Sequence, residues 1–241
     1  MNKKIAICLS GIPKCWERGL TSFQSFLPYA DIFIHIWKIH ENSEINRYTA
    51  NSWGTYNNIT QIDYNKLLQL YGPKKYFIQD FNIKKEYFAK QKAKYFLNKN
   101  DTRGVRGGEE QSLSQLSMFY SLREACRLKT LHEKENNFIY DTVVRMRFDS
   151  EIRSIPDLQT FNCEDNIYIP EGRDWGGIND QFFFGSSAVM DMVCECYTFY
   201  DILVEKTNFY GPEVVFKKYL ETFLPPQNIK RENFLIEINN N

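Results

Sequence analysis

The residues from Tyr140 to Glu151 combine an apolar run with two arginines and a cluster of carboxylates. Val143, Val144 and Met146 mark a strand. Side chains alternate along a strand, so Asp141, Val143, Arg145, Arg147 and Asp149 share one face. Tyr140, Thr142, Val144, Met146 and Phe148 share the other. Charges on so core-like a strand are costly unless they are paired or bind something. Glu151, just past the strand end, can aim its carboxylate the same way as Asp149. Two hard oxygen ligands at that spacing suit a divalent cation with positions open for substrate phosphates. The same residues also fit a second reading, an Arg147–Asp149 ion pair closing the strand beside a solvated Glu151.

Other residues with chemistry lie where strands should end. Ile5 to Leu9 is a continuous apolar run, as for a strand covered on both faces, and Ser10-Gly11-Ile12-Pro13 breaks it. In open α/β sheets ligands sit beyond the carboxyl ends of strands, which places Ser10 and Gly11 to meet one. Glycine admits close backbone approach, and loop amides can receive an anion. A plain tight turn fits these residues equally. Asp31 to Trp37 reads as the next strand, with His35 and Trp37 near its end. A histidine between isoleucines fits a hydrogen-bonded core position as well as a pocket. Trp175, between glycines, offers a face on which a sugar ring can stack. Asn179-Asp180-Gln181 opens a run of three phenylalanines, an unusual place for a carboxylate. Asp180 is the candidate general base or hydroxyl contact, against a turn aspartate capping local amides. Arg103 and Arg106, among glycines, could close over a diphosphate or simply connect two helices. Glu213 at a helix start could reach the acceptor region, and the helix dipole also explains a first-turn acid without function.

Asp149-Ser150-Glu151 at the end of a buried strand resembles the DxD-type metal motif of GT-A fold glycosyltransferases. The residues before it, from Tyr140-Asp141 to Phe148, are similar to those of bacterial and viral enzymes of surface-glycan type. Glu stands where the motif has its second Asp. The resemblance implies that Asp149 and Glu151 hold Mn²⁺ or Mg²⁺ on the diphosphate of a nucleotide sugar. It extends to Ser10 and Gly11, with Lys14 where an arginine is common, and to Asp31-Ile32-Phe33-Ile34-His35-Ile36-Trp37. It implies that these, with Arg145 and Arg147, contact the donor. It also covers Asn179-Asp180-Gln181-Phe182 and sets Trp175, Asn179 and Gln181 on the acceptor side, with Asp180 as the catalytic group. The expected fold is α/β, a mixed, mostly parallel central sheet flanked by helices, like that of nucleotide-diphospho-sugar transferases. The expected activity is metal-assisted transfer of a sugar to a glycan or other hydroxyl acceptor.

The elements that must position these residues follow from pattern. Helices are expected from about Cys15 to Phe26, Tyr64 to Tyr71, Glu86 to Leu97, Glu109 to Leu131, Ser187 to Lys206 and from Gly211. Further strands are expected at Lys75–Gln79, Asn166–Ile169 and Ile229–Ile238. Residues 38–61 read as a surface loop. The 241 residues suit one domain, with a nucleotide-sugar half (1–151) and an acceptor-side half (152–241).

Thirty basic and thirty acidic residues cancel, which argues against a nucleic-acid partner. No apolar run reaches the roughly 18 residues needed to span a membrane, and the first residues are too short for a signal peptide. The six cysteines show no zinc spacing and read as reduced core thiols of a cytoplasmic protein. There is no dinucleotide fingerprint, no Walker loop and no nucleophile elbow. Two alternatives stay open: a sugar-phosphate nucleotidyltransferase, and a non-catalytic nucleotide- or glycan-binding domain of the same fold.

Overall fold

The computed structural model describes residues 2–24, 27–38, 62–93, 108–154, 157–207 and 211–238. The apolar runs form strands β1 (Ile5–Gly11), β2 (Ala30–Lys38), β3 (Lys75–Asp80) and β4 (Thr142–Met146). Later come β5 (Ser150–Ser154), β6 (Ile167–Pro170), β7 (Phe183–Gly185), β8 (Ile229–Glu232) and β9 (Leu235–Ile238). Seven of them make one sheet in the order β3-β2-β1-β4-β7-β6-β8. β3, β2, β1 and β4 run parallel, β7 is antiparallel to both its neighbours, and β8 is parallel to β6. The expected mixed, mostly parallel sheet flanked by helices is the one observed.

The period-two alternation sorts the strands onto two cores. Ala6, Cys8, Phe33, Trp37, Val143 and Phe183 face one side. There they meet helices α3 (Phe81–Ala93), α4 (Gly108–Asn136), α5 (Ser187–Cys194), α6 (Cys196–Thr207) and α7 (Pro212–Phe223). Ile5, Ile7, Leu9, Ile34, Val144 and Met146 face the other side. There they pack against α1 (Trp16–Phe23) and α2 (Tyr64–Tyr71). Each Val, Leu, Ile, Phe or Met among them, fully buried, contributes about 1.5–3 kcal/mol. Leu116, Phe119, Leu122 and Cys126 form the expected buried stripe of α4.

Local signals fix the ends. The Asp63 carboxylate accepts the Lys66 N–H at 2.9 Å, and Gly72, at φ +55°, donates to the Leu68 carbonyl, so α2 is bounded as expected. Elsewhere the structure corrects the pattern. The single helix expected over Ser187–Lys206 breaks at Glu195, whose ψ of 3° leaves the helical ladder. The strand expected over Ile229–Ile238 is two. A turn closed by the Phe234 N–H on the Glu232 carbonyl sends β8 to the main sheet and β9 to β5. Cys126 and Cys194 join α4 to α5 in a disulfide with Cα atoms 6.5 Å apart, where reduced thiols were expected. Their core-facing positions on two packed helices bring them together. α4 also carries a buried Lys129, whose ammonium meets Glu133 at 2.9 Å and Asp191 at 2.7 Å. Pattern reading of an amphipathic helix gives no hint of that network.

Candidate active site

β1 and β4 are parallel and end side by side, whereas β7 runs the opposite way and begins at that same edge. Three segments therefore converge there: the loop after β1, the turn after β4 and the residues leading into β7. Arg145 pairs with Phe183 across the β4–β7 ladder. Its guanidinium donates to the Gln181 carbonyl and sits 5.7 Å above the Phe183 ring. Burial pushes it down to about 10 against the pull of Asp180, with Arg147 adding to the depression. Asp180 is 5% exposed, and its Oδ2 is buried with no hydrogen-bond partner. Burial raises the Asp180 carboxyl, opposed by Arg145 and then Arg147.

Arg147 grips Asp149 with two parallel bonds, Nε to Oδ1 at 2.8 Å and Nη2 to Oδ2 at 2.7 Å. Asp149 sits in the tight turn between β4 and β5, which the Arg147 N–H closes on the Ser150 hydroxyl at 3.2 Å. α1 rests directly on this turn. A Cβ added at Gly19 would lie 2.1 Å from the Phe148 carbonyl oxygen, so only glycine permits that approach. Lys14, on the loop after β1, lies within the field of Asp149 and Arg147. Burial pushes its ammonium down to about 8, Asp149 pulls it back and Arg147 adds to the depression.

The carboxylate side comes from the second half of the chain. Glu213, in the first turn of α7, is pushed up to about 8 by burial and then by Asp180, with Arg147 opposing and Asp174 reinforcing. The helix dipole, which suffices to explain a first-turn acid from sequence, is overridden here. The loop from Glu171 to Phe182 is tied to α7. The Ile178 N–H donates to the Glu213 carbonyl at 3.0 Å, and Gly177 lies against that same peptide. Asp174 is held by the Arg231 guanidinium at 2.8 and 3.1 Å. Sequence reading left Glu213 open between an acceptor-side role and a helix-start acid, and gave Asp174 and Arg231 no role. Gly177 and the Gly211-Pro212-Glu213 helix start were the available signals, but neither tells which loop the helix meets.

The remaining candidates have other places. His35 is fully buried, its Nδ1 2.7 Å from the Ser121 hydroxyl and its Nε2 3.2 Å from Gln79 Oε1. Burial lowers it to about 4, so it stays neutral at physiological pH. Trp37 is 1% exposed and donates to the Ser117 carbonyl at 3.0 Å. Both are core residues of the sheet–α4 interface. His35→Ala should therefore destabilise the fold by about 2–4 kcal/mol and leave ligand affinity unchanged, readable by urea unfolding and calorimetry. Ser10 is buried, and Gly11 ends β1 at φ +115°, beyond the reach of other residues. Asn179 is 3% exposed and used within its loop: its amide donates to the Gly172 carbonyl, its oxygen accepts from the Gln181 N–H. It shapes the loop from inside. Gln181 offers its carbonyl to Arg145. Trp175 stands 64% exposed at the loop tip. Arg103 and Arg106 lie outside the described residues.

Asp149 and Glu151 do not present an open pair of metal ligands. Both Asp149 oxygens are taken by Arg147, and Glu151 accepts from Arg153 at 2.9 Å. Among the described residues no group of three or more His, Cys, Asp or Glu gathers as a metal cage. As arranged, the donor set does not fit a cation, and no reaction step is assigned to one.

A family model matches residues 92–222, more than half of the 241. The chain belongs to the family described as "Domain of unknown function (DUF7796)". The matched stretch of this DUF7796 chain holds Arg145, Arg147, Asp149, Asp180 and Glu213, and leaves out β1 and Lys14. No curated protein matches the chain. Among solved structures, apo mouse xyloside xylosyltransferase 1 aligns over 96% of this chain and 85% of its own, at 11% identity and TM-score 0.43. The apo glycosyltransferase GlyE of Streptococcus pneumoniae TIGR4 aligns over 97% of this chain at 11% identity and TM-score 0.42. The chain spans 46% of that protein. Both likenesses are remote, and the reading of the site rests on its own residues.

Proposed function

We propose that this DUF7796 chain is a glycosyltransferase that moves a sugar from a nucleotide-diphosphate sugar to a glycan or other hydroxyl acceptor. One observation carries the reading: a cationic side, Lys14 with Arg147, and a carboxylate side, Asp180 with Glu213, meet at the carboxyl edge of β1 and β4. A diphosphate needs the first and an acceptor hydroxyl the second. The motif resemblance of residues 140–151 and 179–182 points the same way. The donor side is drawn from residues 1–151 and the acceptor side from 152–241, with Trp175 as the sugar-stacking face.

In this reading Arg147 and Lys14 neutralise the negative charge that grows on the departing nucleoside diphosphate. Arg145 holds the strand end that aims Arg147. A Mn²⁺ or Mg²⁺ ion would have to displace Arg147 from Asp149, so the metal-dependent form of the reading is itself under test. The place of action in this reading is the cytoplasm. The free thiols Cys8, Cys163 and Cys196 suit it, and the Cys126–Cys194 bond does not. Among the described residues, no helix is long and apolar enough to cross a membrane.

Calorimetric titration of UDP, GDP, CMP and dTDP, with and without Mn²⁺, tests the donor site. One nucleotide should bind, and Arg147→Ala should weaken it at least about tenfold, the loss of one charged hydrogen-bonded contact. Lys14, part neutral near pH 8, should regain its proton beside a diphosphate. Binding at pH 8 should therefore take up protons, seen as a dependence of heat on the buffer's ionisation enthalpy. Failure of every nucleotide to bind would remove the donor-site reading.

A further inference from the structure

Two carboxyl groups share the acceptor side, but they differ in access and in partners. Asp180 is 5% exposed and feels the positive charges of Arg145 and Arg147. Glu213 is only half-buried and stands on the rigid first turn of α7. The backbone contact of Gly177 and the Ile178–Glu213 hydrogen bond lock that turn to the loop that leads to Asp180. A substrate hydroxyl can reach Glu213 more readily than the enclosed Asp180.

Resting on the glycosyltransferase reading, we propose that Glu213 is the base that takes the acceptor hydroxyl proton, and that Asp180 is the buried anion that keeps it basic. The acceptor oxygen bonds to the anomeric carbon as its proton passes to the Glu213 carboxylate. The anomeric carbon–oxygen bond to the diphosphate breaks, and its electron pair leaves with the nucleoside diphosphate. This is a displacement with inversion. Asp180, enclosed in the field of Arg145 and Arg147, does not take the proton. Its negative charge raises the basicity of Glu213 and so positions a group whose proton affinity matches near-neutral chemistry.

Three charges act on Glu213, and a fourth holds one of them. They are Asp180 before β7, Arg147 at the end of β4, Asp174 after β6, and Arg231 of β8, which holds Asp174. Burial and Asp180 raise Glu213 from its ordinary 4.5 to about 8. The rate of transfer should therefore climb about tenfold per pH unit below that value and level off above it. A raised acid also destabilises the fold as it ionises. Stability held below pH 4.5 is lost as pH rises through about 8.

The experiment compares the full chain with Glu213→Gln and Asp180→Asn for nucleotide binding, initial rate against pH and melting temperature against pH. Glu213→Gln should bind nucleotide as the parent does and lose transfer at least about 100-fold. It should also lose part of the fall in melting temperature between pH 5 and 8. Asp180→Asn should move the midpoint of the rate profile to lower pH, which a merely structural role would not do. Transfer by Glu213→Gln within a few-fold of the parent overturns the base assignment alone. So does a retained anomeric configuration in the product. Absence of nucleotide binding by the parent chain overturns the glycosyltransferase reading and the assignment together, whereas the melting arm still reports whether Glu213 is held protonated.

Discussion

Replacing Arg145 with leucine should destabilise the protein by about 1–3 kcal/mol, the cost of leaving a buried polar group without its partner. Arg145 is completely buried in the middle of the sheet. Its loss strips the Gln181 carbonyl of a donor and leaves Asp180 without the stronger of the two positive charges acting on it. The Asp180 carboxyl, already raised by burial, should rise further. An acid whose folded value lies above its unfolded one stabilises least where it must ionise. The damage should therefore grow as pH rises above the ordinary aspartate range, and urea midpoints at pH 5 and pH 8 should separate. Arg145→Leu combined with Asp180→Asn should recover most of the loss, because no buried charge is then left unpaired. Equal destabilisation in the single and double variants would show that Arg145 acts through packing on Phe183 instead.

Gly177→Ala should cost about 3 kcal/mol, near the upper end for overpacking. The added methyl carbon would lie 2.1 Å from both the carbonyl carbon and the oxygen of Glu213, and 2.3 Å from the Val214 nitrogen. These are backbone atoms, so no side-chain rotation relieves the clash. Either α7 moves away or the loop from Glu171 to Phe182 does, and each route separates Asp180 from Glu213. The melting temperature should fall, and the pH midpoint of the rate profile should move down in the surviving fraction. Gly176→Ala is the control: its Cβ meets only the Val214 side chain at 4.0 Å, and the strain of φ +88° there is not coupled to Glu213. A variant at Gly177 that keeps both stability and pH profile would mean that the loop and helix are not locked.

Sequence alone determined the parts of this protein that repeat over a few residues. Alternation along β4 set Arg145 on the opposite face from Val144 and Met146, which lie in the second core. Gly72 closed α2, and the apolar spacing of α4 named its buried stripe. Strand ends followed by glycine or carboxylate marked the edge where Lys14, Arg147, Asp149 and Asp180 gather. Only the tertiary structure decided what those side chains meet. Arg147 takes Asp149, Arg153 takes Glu151, and His35 finds Ser121 and Gln79, 86 and 44 residues away. Glu213 becomes part of the site because α7 lands on the loop before β7, a contact between segments that no local pattern links. Cys126 and Cys194 meet across a separation of 68 residues for the same reason. Periodicity is a property of neighbours in the chain, and it survives in the sequence. Proton affinity, pairing and access are properties of neighbours in space, and they exist only once burial and topology have chosen those neighbours.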